Sequence, residues 1–140
     1  MMMYDREVPV PRLLAHVEHP LVDKMRVALS EKYGEEFVYT TAALYRDGRD
    51  SVGWHSDDER ELGPDRGDIA IASVSLGGTR RFLMRHRASG ERRSFDLADG
   101  SLLVMRGTTQ QYWRHALPKT AARVGPRLNL TFRVIRAACR

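Results

Sequence analysis

The chain has 140 residues, 23 basic against 18 acidic, a formal net charge of +5 and a single cysteine. That length suits one domain with its own core, so a single domain over 1–140 is expected. The lone Cys139 cannot pair internally and no CxxC or Cys/His zinc pattern is present, which excludes a disulfide scaffold and points to a reducing, cytoplasmic setting. No apolar run approaches spanning length and "MMMYDREVPVPRLL" lacks a signal core, so no membrane association is expected; no obligate protein partner is evident in the residues. The basic residues are overwhelmingly arginine, whose planar fork suits phosphate and carboxylate. A polyanionic partner fits that charge; codon usage in a GC-rich genome would produce the same composition.

In chain order, residues 1–19 form a short leading segment. From "HPLVDKMRVALSEKYGEEF", Leu21, Val22, Met25, Ala28 and Leu29 recur at helical spacing, with Pro20 suited to a first turn and Gly34 to an exit. One amphipathic helix over 20–34 is predicted. The period then changes to two. "DIAIASVSLGG", "RRFLMRHR", "RRSFDLADG", "SLLVMRG" and "RLNLTFRVI" are short, apolar or β-branched, and separated by turn residues. Strands behind one helix predict a mainly β fold with α, a sandwich or jelly-roll over about 40–136 with the helix packed outside; an open α+β sheet is the competitor.

Chemistry concentrates in "SVGWHSDDERELG". In an extended segment His55 and Asp57 point to one side and could reach one point. A third donor is needed, from among His16, His19, His86 and His115; His115, in "QQYWRHALPK", follows a strand-like segment in the half of the chain expected to pair with His55. Two histidines and a carboxylate suit Fe(II) that also binds O2 and a co-substrate. Zinc could use the same donors, and an HxD pair can equally be a solvated surface pair. In "RLNLTFRV", alternation puts Arg127, Asn129, Thr131 and Arg133 on one face and Leu128, Leu130, Phe132 and Val134 on the other. The polar face either looks into water or lines a cleft. Its two arginines, ~20 Å apart along the strand and each reaching about 6–7 Å, leave a gap for a small dicarboxylate such as 2-oxoglutarate. Trp54 and Trp113 read as core aromatics.

Taken in order, "LYRDGRDSVGWHSDDERELG", "IASVSLGGTRRFLMR", "GSLLVMRGTTQQYWRHALPK" and "PRLNLTFR" closely resemble the AlkB family of Fe(II)/2-oxoglutarate dioxygenases, especially members that repair alkylated nucleic acid. The match runs from about Leu44 to Val134. The resemblance implies a double-stranded β-helix with His55, Asp57 and His115 as iron ligands. It implies Arg127 on the distal carboxylate of 2-oxoglutarate, Arg133 and Asn129 around its other end, and a hydroxyl from Tyr45. It also implies a nucleic-acid partner, single-stranded or with the base flipped, and removal of N-methyl groups of the 1-methyladenine and 3-methylcytosine type as formaldehyde. Alkylation leaves such bases cationic, and Asp58 and Glu59 stand where a carboxylate would contact them; Glu59 shares the parity of His55 and Asp57.

Two departures bear on that expectation. Ala43 stands where the family usually has an asparagine that helps to bind 2-oxoglutarate. The substrate lid between a "PR" segment and the first helix is nearly gone, because "PRLLAHVEHPLV" passes directly from Arg12 to Pro20. A hydroxylase of a protein or small molecule, and a nucleic-acid-binding paralogue with a decayed site, are the competing readings.

Overall fold

The computed structural model describes residues 17–57 and 70–134, together with the backbone of Arg12–Leu14. After β1 (Arg12–Leu14), the chain enters helix α1 (Pro20–Tyr33). The His19 side chain accepts from the Leu21 amide at 3.1 Å and Pro20 occupies the first turn. Gly34 ends the helix in the left-handed region, φ 65°, where its N–H reaches the Ser30 carbonyl; a side chain there would be strained. The helix predicted over 20–34 is therefore present, but two residues of its expected apolar face, Leu21 and Ala28, are exposed. Leu21 is 63 % exposed, because in the first turn it faces outwards while Val22, Met25 and Leu29 turn to the core.

Eight strands follow: β2 (Tyr39–Tyr45), β3 (Val52–His55), β4 (Ile71–Gly77), β5 (Arg80–His86), β6 (Arg92–Leu97), β7 (Leu102–Met105), β8 (Trp113–Leu117) and β9 (Arg127–Arg133). A single turn of helix, α2 (Thr109–Tyr112), precedes β8. The strands form two antiparallel sheets, β1-β2-β9-β4-β7 and β3-β8-β5-β6. The expected jelly-roll is thus the observed fold, and the open single sheet is excluded.

The five-stranded sheet is covered on both faces. Its outer face carries Ala42, Ala72, Val74, Leu130 and Phe132, packed with Phe37 against Val22, Met25 and Leu29. Phe37 and Phe132 are fully buried, and each contributes on the order of 1.5–3 kcal/mol. Its inner face looks across a cleft to the four-stranded sheet. Below the cleft Ile71, Phe82, Met84, Leu97 and Met105 join the sheets, and Ala43, Tyr45, Val52 and Leu117 join them at another side.

Double coverage explains the strand that patterning did not find. "YTTAALY" is buried at five of its seven positions, so it shows no polar–apolar alternation to read. The tryptophans divide. Trp113 packs against the inter-sheet core, as expected, whereas Trp54 is only half-buried and lies beneath the Arg85 guanidinium at 4.6 Å. The register shift between Val52 and His55 turns both of those residues into the cleft and leaves Trp54 outside the core.

Candidate active site

Strand β9 runs through the middle of the five-stranded sheet, and its polar face is buried. Arg127 is 2 % exposed, and Thr131 and Arg133 are each 7 % exposed, so the water-facing alternative is excluded. Room for these long side chains comes from small neighbours. Asn129 lies in register between Ala43 and Ser75, and Thr131 between Thr41 and Ser73. Ser73 Oγ donates to Asn129 Oδ1 at 2.6 Å, Asn129 Nδ2 to Thr131 Oγ1 at 2.9 Å, and Arg127 Nη2 to Ser75 Oγ at 2.9 Å. This ladder holds the polar face rigid.

Tyr45 is directly opposite Arg127 in β2, its ring 5.1 Å from the guanidinium. Arg80 approaches the same ring at 5.6 Å and is tied to the Asp47, Asp50 and Pro118 carbonyls. Burial pushes the Tyr45 phenol up, although Arg127 and Arg80 oppose it, so the hydroxyl keeps its proton at neutral pH. Arg127 Nε and Nη1 are buried with no hydrogen-bond partner among the described residues. Burial pulls that guanidinium below its ordinary value. A buried cation with two idle N–H groups is costly unless an anion meets it.

At the other end of the cleft the histidines converge. His55 and His115 are register partners across β3 and β8, their rings 4.2 Å apart. His115 therefore lies within β8 rather than after a strand, because the exposed Arg114 and buried His115 alternate as strand residues do. Asp57 stands two residues beyond His55, with its amide held by Gln110 Oε1 at 2.8 Å. Ser56 Oγ donates to the Trp113 carbonyl at 2.6 Å, pinning the segment between the two donors to the start of β8. Ligand atoms of His55, Asp57 and His115 all lie within 4.8 Å of one another and could hold a metal ion. His19 and His86 are elsewhere: the former caps α1, and the latter accepts from the Ala88 and Ser89 amides. His16, Asp58 and Glu59 lie outside the described residues.

Protonation suits a metal. His55 Nδ1 is 2.7 Å from the Gly53 carbonyl, which can only accept, so Nδ1 carries the proton and Nε2 presents its lone pair. Burial pushes His115 down to about 4, leaving it neutral at pH 7. Burial alone would raise the Asp57 carboxyl, but Arg133, then His115 and His55, together hold it below its usual value. Asp57 Oδ1 and His115 Nδ1 have no hydrogen-bond partner among the described residues. A neutral His115, a His55 whose Nδ1 is engaged by the Gly53 carbonyl, one carboxylate and orphaned buried polar atoms fit a divalent cation of the Fe(II) class. Arg133 stands beside the cluster, donating to Thr41 Oγ1 at 2.8 Å and lying 3.6 Å from Asp57 Oδ2.

These shifts set an acid limit for the metal-free protein. A histidine held neutral by folding contributes fully above its unfolded value of ~6.5, and that stability is lost as pH falls towards about 4. Asp57, depressed, loses its contribution in the same direction at lower pH. Urea unfolding in a chelator should therefore show a loss of about 3 kcal/mol between pH 7 and pH 4 in wild type beyond that in His115→Phe. Equal losses in the two proteins would show that His115 is not held neutral.

The profile of the 2OG-Fe(II) oxygenase superfamily matches residues 4–133. Mouse DNA oxidative demethylase ALKBH2 is 40 % identical over 124 residues, covering 83 % of this chain and 51 % of the relative. The chain is an AlkB-type member of the 2OG-Fe(II) oxygenase superfamily. Human alpha-ketoglutarate-dependent dioxygenase alkB homolog 3 is 41 % identical over 126 residues, covering 84 % of the chain and 43 % of that protein. This oxygenase thus spans about half the length of the curated relatives it matches. Among solved structures, OsALKBH1 is 21 % identical with a TM-score of 0.60 over 84 % of this chain and 66 % of its own. A Trichoplax adhaerens prolyl hydroxylase in complex with a hypoxia inducible factor fragment is 9 % identical with a TM-score of 0.68, over 91 % and 64 %. Both share the fold.

Sequence reasoning missed one residue that lines the cleft, Ser73, and two that hold its side chains or backbone, Ser75 and Gln110. Ser73 and Ser75 were signalled by the polar steps in "IASVSLGG", since serine at alternate positions of an apolar strand marks a wet or ligand-facing side. Gln110 carried no such signal: it is fully buried, 53 residues from the amide it holds. Ala43 faces the cleft beside Asn129, so its methyl contributes space where the family's asparagine would contribute a hydrogen bond.

Proposed function

We propose that this oxygenase removes N-methyl groups from nucleic-acid bases, with Fe(II) on His55, Asp57 and His115 and 2-oxoglutarate on Tyr45, Arg127, Asn129 and Arg133. One observation carries the reading: a three-donor cluster and a buried arginine with idle donors line one cleft. The roughly 40 % identity to demethylases supports a methylated nucleic acid over a protein or small-molecule substrate. When bound, iron, 2-oxoglutarate and O2 supply oxidation of the N-methyl carbon, with succinate, carbon dioxide and formaldehyde as products.

The chain's own residues supply placement and charge. Arg127, buried and with unpartnered guanidinium nitrogens, takes the distal carboxylate, and Tyr45 donates its hydroxyl to the same group. Arg133 neutralises Asp57 and keeps its second oxygen turned from the cluster. The stacked Phe82 ring, 5.2 Å from His115, excludes water from one side of the imidazole. Asp58 and Glu59, outside the described residues, are proposed to face the cationic base. No helix among the described residues is long and apolar enough to cross a membrane; a cytoplasmic location is part of this proposal.

Mass spectrometry of methylated oligonucleotides incubated with Fe(II), 2-oxoglutarate and ascorbate, beside His55→Ala, tests the reading. A mass decrease of ~14 Da per base is expected in wild type alone, because CH3 is replaced by H and formaldehyde carries the carbon away. Glu59→Gln should slow demethylation about tenfold or more while sparing uncoupled 2-oxoglutarate turnover, since shape is kept and charge removed. Equal slowing of both rates would remove Glu59 from the base contact.

A further inference from the structure

The outer face of the four-stranded sheet carries a feature that the cleft does not explain. Arg85 in β5 is the direct register partner of Arg92 in β6 and of Arg114 in β8. Alternation sends all three outwards: Met84 and Phe82 of β5 belong to the inter-sheet core, His115 lines the cleft, and Leu97 of β6 is buried. Strand spacing puts their Cα atoms at intervals of about 5 Å, a row about 10 Å long. Like charges directly opposite one another oppose sheet pairing.

Nothing among the described residues compensates this row. No described carboxylate pairs with Arg85, Arg92 or Arg114, although other arginines of this sheet have acids: Arg81 faces Asp96 at 4.0 Å and Arg93 pairs with Glu91. Arg85 instead lies over the Trp54 indole at 4.6 Å. Stacking holds the guanidinium plane and leaves its N–H edge free to donate. The position is equally specific. One residue step inward from Arg85 and Arg114 is the Met84–His115 pair, and His115 opposes His55. The row therefore crosses the sheet at the end that carries the three metal-binding candidates.

We infer that Arg92, Arg85 and Arg114 form a phosphate track for a single nucleic-acid strand, outside the cleft and leading towards it. This rests on the nucleic-acid reading above and adds a second binding surface to it. Three guanidinium groups in line match the repeating charge of a backbone, and a strand held there binds without base readout. Trp54, clamped beneath Arg85, stiffens the middle of the track rather than reading a base. With "PRLLAHVEHPLV" leaving so little chain between β1 and α1, the track offers a grip on the strand that does not depend on a lid.

The test is the salt dependence of binding to an unmodified oligothymidylate, read by fluorescence anisotropy. Arg92→Ser with Arg114→Ser should lower the slope of log affinity against log salt by about 1.4, which is about 0.7 for each single-strand phosphate that the variant no longer neutralises. Arg81→Ser with Arg49→Ser removes the same charge from paired positions and should leave the slope near wild type. Uncoupled 2-oxoglutarate turnover should be unchanged in both. An unchanged slope in Arg92→Ser/Arg114→Ser, with methylated oligonucleotides still repaired, would overturn the track and spare the proposed function. Absence of repair by wild type would remove the function instead. Equally tight binding of polyglutamate at the same salt would assign the row to an acidic protein and overturn the inference.

Discussion

His115→Ala is expected to abolish both metal retention and 2-oxoglutarate turnover, with Mn(II) or Co(II) affinity falling by at least ~100-fold. The cluster has three protein donors within 4.8 Å, and a two-donor remnant cannot hold a labile divalent ion against water. The imidazole is also part of the packing, 6 % exposed and stacked on Phe82, so alanine leaves a cavity as well as an open coordination position. His115→Gln separates these effects: it fills most of the space, retains the fold in a denaturation curve, and still binds metal weakly. Calorimetric titration of the metal-free protein decides the matter. Turnover above a few per cent of wild type in His115→Ala would exclude this residue as a ligand.

Arg127→Lys should raise the KM for 2-oxoglutarate by about 10- to 100-fold and leave saturated turnover within a few-fold of wild type. Lysine keeps the charge but cannot present the parallel fork that meets two carboxylate oxygens, and one charge-assisted bond is worth about 1.5–3 kcal/mol. The sign depends on burial. At a water-exposed site the two cations would be nearly interchangeable, but Arg127 is 2 % exposed and already spends Nη2 on Ser75. Steady-state kinetics against 2-oxoglutarate, with succinate as the product measured, provide the test. An unchanged KM would remove Arg127 from the co-substrate site and leave its idle Nε and Nη1 without a function.

The two halves of the cleft differ in how they could be read from residues. The β9 half was legible because a strand has a period of two: "RLNLTFRV" sorts its side chains by parity alone, and the observed lining follows that sorting. The metal half was legible only in part. His55 and Asp57 are neighbours in sequence, so spacing could pair them, whereas four histidines competed for the third position. Strand β2 was invisible for the opposite reason to β9. Covered by a helix on one face and the cleft on the other, it is buried on both sides and shows no polar–apolar alternation to read.

By itself the sequence determined the nature of the elements, their order and the parity of their faces, because turn chemistry, capping and side-chain periodicity are local properties of the backbone. Helix α1 begins at Pro20 and ends at Gly34 for reasons contained within a few residues. Only the tertiary structure decided what each face meets. Whether the polar side of β9 looks into water depends on the second sheet, whose strands come from the other segments of the chain. That His115 rather than His86 meets His55 depends on the β3–β8 register. That Gln110 holds the Asp57 amide, and that Arg92, Arg85 and Arg114 stand in one row, depends on strands and loops brought together across the fold. Periodicity specifies a direction from the backbone; pairing between distant segments specifies what lies in that direction.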